Sequence, residues 1–231
     1  NSYVTGEFSG TFIFGAGEAN ETTLTGSGFT DIFVAKYNSI GALQWAKRAG
    51  GVSASDEGSG RGIAVDGSGS VYATGNFEGT VKFGAGEANE MTLNASSRGS
   101  FVAKYTSSGI LEWAKGTDSA PAQAIAVDSS GNSYVTGSFF GTATFGAGEL
   151  NQTRFTSGNG GNADEFFIAK YNSSGVLQWA KKAGGDGDLG GEGVALDGAG
   201  NIYVTGGFGP TANFGAGEAN PATLVSAGDN D

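Results

Sequence analysis

The acidic residues of this chain recur. Asp66, Asp128 and Asp197 each open a tight turn built from Gly, Ser, Ala or Asn, and Glu18, Glu87, Glu149 and Glu218 each close a Phe-Gly-Ala-Gly-Glu string. Turns rich in carboxylate, hydroxyl and carbonyl oxygens suit calcium, which takes roughly six to eight oxygen ligands. One carboxylate per turn is few for that purpose, and no copy matches an EF-hand loop. An Asp in this position also caps its own turn. Two further acid pairs, Asp186 with Asp188 and Asp229 with Asp231, do not recur. The chain has no His and no Cys, so the commonest general base and the thiolate nucleophile are both missing. A catalytic centre needs different residues converging on one point, and repetition supplies the same residues many times over. The expectation is no enzyme, no catalytic residue and no cofactor, with calcium at Asp66, Asp128 and Asp197 as the one metal reading.

Two other residue sets repeat. Trp45, Trp113 and Trp179 each sit in Leu-x-Trp-Ala-Lys. One indole per unit could stack a sugar; flanked by Leu and Ala inside a strand pattern, it reads first as core packing between units. Lys36, Lys104 and Lys170, with Lys47, Lys115 and Lys181, are half of the 12 basic residues. Their recurrence in strands points to pairing with the repeated acids of a neighbouring unit. Asn20, Asn94, Asn151 and Asn172 are glycosylation sequons.

The elements that must position these residues are strands. Short runs rich in β-branched and aromatic residues are bounded by Gly, Ser, Asn and Asp, and no stretch holds a 3.6-residue apolar period. Each unit has an apolar run ending in Asp, a Tyr-x-Thr-Gly run, a Phe-(Val/Ile)-Ala-Lys-Tyr run and the Trp run. Turns such as Asp-Ser-Ser-Gly at 128–131 and Asn-Ser-Ser-Gly at 172–175 predict three-residue hairpins with glycine at positive φ. So strands one and two form one hairpin and strands three and four another. The Phe-Gly-Ala-Gly-Glu insertion between them is expected to add a small hairpin. Four strands joined up and down make a propeller blade.

The Tyr-x-Thr-Gly tyrosines, Tyr3, Tyr72, Tyr134 and Tyr203, are spaced 69, 62 and 69 residues apart. A fixed period marks a repeat architecture. The units fall at about 1–61, 62–123, 124–192 and, in part, 193–231, within one continuous array. Strand two occurs four times and the other three strands three times each. The expectation is a segment of a longer array whose unfinished ends pair with identical or related repeats.

Glycine makes up 44 of the 231 residues, well above the usual ~7%, and serves turns, bulges and close strand approach. The net charge of −11 argues against a nucleic-acid partner, which selects basic surfaces. No apolar run approaches the ~20 residues of a membrane-spanning helix.

Taken together, these runs resemble the bacterial β-propeller repeat (SBBP) family and, in the first hairpin, NHL-type repeats. The resemblance implies an extracellular or cell-surface β-propeller-like array of four-stranded antiparallel blades, three full repeats plus a partial fourth, with no agreed catalytic residues. The 62–69-residue period exceeds the ~40–50 usual for a blade. The expected function is a structural or adhesion array, or fibre; the alternative is a carbohydrate-binding propeller that contacts surface glycans.

Overall fold

The repeated turns fold as their residues dictate. Gly69, Gly131 and Gly200 close the first hairpins, and Gly41, Gly109 and Gly175 the last, all at φ between 77° and 85°. A side chain there would be strained. In the first hairpins the Asp carboxylate accepts from the backbone N–H groups two and four residues on.

The computed structural model describes residues 1–158, 163–216 and 218–228. Among them there is no helix, so none is long and apolar enough to cross a membrane. The strands group into four units. The first holds β1 (Ser2–Phe8), β2 (Thr11–Phe14), β3 (Thr22–Thr25), β4 (Asp31–Tyr37) and β5 (Leu43–Gly51). The second holds β6 (Glu57–Val65), β7 (Val71–Phe83), β8 (Met91–Tyr105) and β9 (Leu111–Thr117). The third holds β10 (Ala122–Val127), β11 (Ser133–Phe139), β12 (Thr142–Phe145), β13 (Thr153–Thr156), β14 (Glu165–Tyr171) and β15 (Leu177–Ala183). The fourth holds β16 (Leu189–Leu196), β17 (Ile202–Phe208), β18 (Thr211–Phe214) and β19 (Ala222–Val225).

Every strand ladder is antiparallel. The second and third units form four-stranded meanders, β6-β7-β8-β9 and β10-β11-β14-β15. The first unit carries strands two to four as β1-β4-β5, and the fourth carries strands one and two as β16-β17. Three repeats of sequence therefore become two complete four-strand sets flanked by two partial ones, and the first set joins the second in one seven-stranded sheet because β5 pairs with the far end of β7, Ala49–Gly51 against Val81–Phe83. β6, β10 and β16 begin ahead of residues 62, 124 and 193 and continue through a bulge at 60/62, 122/124 and 191/193.

That bulge explains the glycine of Tyr-x-Thr-Gly. A Cβ on Gly75, Gly137 or Gly206 would lie 2.0, 2.1 or 1.9 Å from the carbonyl oxygen of Ser59, Pro121 or Gly190, in or just ahead of strand one. The preceding threonine faces the other neighbour: Thr5, Thr74 and Thr136 donate to the carbonyls of Phe33, Phe101 and Phe167 on strand three.

The insertion is a hairpin in each unit. It stands apart as β2-β3, β12-β13 and β18-β19. In the second unit it is continuous with the sheet, since β7 and β8 run through it. The difference lies opposite the end of strand two. There the first and third units place Asp31 and Glu165, both buried, which Arg48 and Lys182 pair at 2.7 Å. Their carboxylates also take loop N–H groups from Ser27 and Gly158, turning the chain out of the ladder. The second unit has Gly99 at that position, and the ladder continues.

Three of the four apolar clusters among the described residues bridge units, and the fourth, Phe14 with Ala35, Leu43 and Ala46, lies within the first. β6 packs on β1 and β4, β10 on β6 and β7, and β16 on β10, β11 and β14. One apolar cluster joins Ile32, Val34 and Trp45 of the first unit to Val71, Ala73 and Phe101 of the second. The next joins Tyr72, Val102 and Trp113 to Ile125, Val135 and Phe167. The third joins Phe166, Ile168 and Ala183 to Leu189 and Ala212. A unit cannot bury its face alone, so neighbours supply the core.

Candidate functional site

The repeated side chains converge on the joints between units. Across each sheet, tyrosine of strand two, lysine of strand three and tryptophan of strand four share one row: Tyr3-Lys36-Trp45, Tyr72-Lys104-Trp113 and Tyr134-Lys170-Trp179. The ammonium lies 5.7, 5.5 and 4.9 Å from the tyrosine ring centroid, within cation–π range. In the first two rows the lysine and the indole reach a single acceptor in the next unit. Lys36 Nζ (2.9 Å) and Trp45 Nε1 (3.2 Å) donate to the Ser107 carbonyl. Lys104 Nζ (3.4 Å) and Trp113 Nε1 (3.1 Å) donate to the Ser173 carbonyl. Both carbonyls sit in strand-three-to-four turns, whose closing glycines, Gly109 and Gly175, lie against the indole faces.

The Phe-Gly-Ala-Gly-Glu turn forms the other half of the joint. Glu18, Glu87 and Glu149 accept the N–H of Leu43, Leu111 and Leu177 at 2.5–2.7 Å. Asn20, Asn89 and Asn151 donate to the carbonyls of the same leucines. Side chains thus occupy the start of the strand-four edge, which would otherwise offer open hydrogen-bonding groups. The second carboxylate oxygen faces the preceding unit: Lys47 pairs with Glu87 at 2.7 Å, Lys115 with Glu149 at 2.6 Å, and Lys181 with Glu218. The expected pairing of repeated lysines with a neighbour's acids is found for these three; the strand-three lysines bind turn carbonyls or lie over tyrosine, and Lys104 also pairs with Glu112 of its own unit at 2.8 Å. This double duty of the glutamates was missed from sequence, where only their recurrence ahead of each Leu-x-Trp-Ala-Lys hinted at it.

Trp45 and Trp113 are 9% and 6% exposed, as core residues would be, whereas Trp179 is only partly buried. Asp66, Asp128 and Asp197 are turn caps with four hydrogen-bond donors each, including the hydroxyls of Tyr72, Tyr134 and Tyr203. Burial pushes the Asp66 and Asp128 carboxyls up, but these hydrogen bonds outweigh it and both sit below the ordinary 3.8. Asp197 is lowered by the same bonds, led by the Asn201 side chain.

The other named residues are dispersed. Asp186 and Asp188 accept from the Thr211 hydroxyl and the Asp164 N–H; Asp229 and Asp231 lie outside the described residues. Of the sequons, Asn20 and Asn151 have their amide nitrogens engaged on leucine carbonyls, Asn94 is exposed on β8, and Asn172 caps its own turn. A hollow of about 210 Å³ near the ends of β1, β6 and β7 gathers Glu7, Glu57 and Glu78 with Arg61 and Arg98. All five are exposed, and none makes an ion pair among the described residues. Nothing there orients a carboxylate for acid–base work, which needs positioned partners.

The family comparison falls on the same elements. The beta-propeller repeat model, SBBP, matches residues 44–76 and 121–138. Over those two stretches the chain is similar to the SBBP repeat. The first match runs from strand four of the first unit, across the joint, to strand two of the second; the other covers β10 and β11. No curated protein matches the chain.

Proposed function

We propose that the chain is a non-enzymatic structural or adhesion segment of an extracellular, β-propeller-like SBBP array. The observation that carries this reading is the joint. Its residues repeat more faithfully than anything else in the chain, and they hold one unit to the next. An acidic, glycine-rich surface of exposed turns suits a protein that works outside the cell among its own copies. The exposed sequon at Asn94 is an acceptor for glycosylation there. Calcium has no evident task, because each turn carboxylate already has a full set of internal donors.

A carbohydrate-binding reading has one observation in its favour. Trp179, unlike Trp45 and Trp113, has no turn lying across its indole among the described residues. The two readings separate in one experiment: the immobilised chain is probed with soluble chain and with a glycan array. Saturable self-binding without glycan binding is expected. Saturable sugar binding that is lost in Trp179→Ala would put the lectin reading in its place.

A further inference from the structure

Tyr105 and Tyr171 end strand three in the second and third units, and both are buried, at 1% and 3% exposed. Tyr171 shares a hydrogen bond with the Thr117 side chain of the preceding unit. Thr117 lies six residues beyond Leu111; six residues beyond Leu43 stands Ala49. The joint between the first and second units therefore lacks the hydroxyl that the next joint supplies. Tyr105 Oη is buried with no hydrogen-bond partner among the described residues. A buried hydroxyl left in that way is costly, because it has given up water without replacement.

Tyr105 borders a crevice of about 200 Å³ inside the same joint, whose two sides are both present. Ala46 and Lys47 of β5 line one side; Gly84, Ala85 and Glu87 of the next unit's Phe-Gly-Ala-Gly-Glu turn line the other. Arg48, which also borders it, is committed to Asp31. Ala85 is exposed, so the crevice is reached from solvent. It has several times the ~30 Å³ that one water occupies in the liquid. Lys47 Nζ and Glu87 Oε1 pair at 2.7 Å, and Glu87 Oε2 accepts the Leu111 N–H. Each carboxylate oxygen keeps a second lone pair, and the ammonium keeps two further N–H groups. Burial, reinforced by the Glu87 charge, pushes the Tyr105 phenol well above the ordinary 10, so it stays protonated and able to donate. The same negative charge disfavours a carboxylate or phosphate beside it.

We infer that this crevice binds a neutral hydroxyl, carried by water or by a small polyol, whose oxygen takes the place that the Thr117 hydroxyl holds in the next joint. That oxygen accepts from Tyr105 and Lys47 and donates to Glu87, which are the three bonds of a typical buried water. The occupant comes from solvent, so the site needs no second copy of the chain. It binds the closed joint and not the unfolded chain, and so stabilises the joint by mass action.

The test is a crystal structure of the full chain at a resolution that shows ordered solvent, determined without glycerol and with it. An oxygen about 2.5–3.0 Å from Tyr105 Oη, within reach of Glu87 or Lys47, is expected in both. Water in both structures assigns the site to water. A glycerol hydroxyl in the second, with glycerol protecting wild type against urea more than it protects Tyr105→Phe, assigns the site to polyols. Glycerol in the crystal without that difference is binding at crystal concentration only, and the site is then water's. Tyr105 Oη facing no solvent oxygen, or turned onto a protein atom, overturns the site. Unfolding gives a second measurement. Tyr105→Phe should lower the folding equilibrium constant about fivefold, as Tyr171→Phe should, because each loses a hydrogen bond that is made. Tyr105→Phe that is as stable as wild type or more so overturns the site, since removing an unpaired hydroxyl costs nothing. Ala49→Thr supplies the hydroxyl from the chain and should displace the solvent oxygen; an oxygen that stays on Tyr105 in that variant overturns the equivalence with Thr117.

Discussion

At the scale of single residues, repetition makes the chain its own control. Trp113 is covered by the turn of the next unit and Trp179 is not, although their local sequences match. Trp113→Ala should cost about 3–5 kcal/mol as a large-to-small core change, and Trp179→Ala roughly half that or less, measured by denaturant unfolding of the monomeric chain. The capping aspartates set the response to acid. Their folded pKa values lie below the ordinary 3.8, so the charged form favours the folded state. That contribution is complete above the unfolded value of about 3.9 and is lost as pH falls through the folded values. Asp128→Asn should therefore flatten the acid limb of a stability–pH curve while leaving the neutral region level. Tyr171 works in the opposite direction: burial pushes it up to about 12, so its contribution is full below the ordinary 10 and vanishes as pH rises through the folded value. A chelator of divalent cations should leave the melting temperature unchanged; a fall of several degrees would instead place calcium in these turns.

At the scale of elements, strands and hairpins were legible because turn chemistry and period-two patterning are local. The Asp and Asn turns, the positive-φ glycines and the extra hairpin all follow from neighbouring residues. Sequence did not reveal that the hairpin stands apart in three units and stays fused in one; in the first and third units that depends on a buried acid meeting its base across the sheet. Nor did it reveal the glutamate clasp, whose partners lie 24–28 residues away on the chain for the leucine and 34–40 for the lysine. The clasp can be taken apart by position. Glu149→Ala strands both the Leu177 N–H and Lys115 and should cost about 1–3 kcal/mol. Glu18→Ala loses only the leucine bond and should cost about 1 kcal/mol. Glu218→Ala loses only an exposed ion pair and should cost about 0.5 kcal/mol or less. Equal costs in a denaturant series would refute the division of labour.

At the scale of the whole molecule, three of the four apolar clusters among the described residues bridge units, so stability should be graded along the chain. Hydrogen exchange should be slowest in β7 and β11, which are covered on both faces, and fastest in β17, which lies open along one edge; uniform protection would contradict a nearest-neighbour array. The recognition surface at each joint has a further consequence. The acceptor is a main-chain carbonyl, the residue beneath the indole is glycine and the bridging pair is lysine with glutamate each time, so these contacts read no side chain that differs from one joint to the next. Such a joint cannot encode order. A gene that gains or loses one unit by recombination between matching codons leaves every remaining junction satisfied, and a variable loop before strand one does not disturb it. Copy number is thereby free to drift, and the reach of the array can change in a single genetic step without a new contact having to be invented.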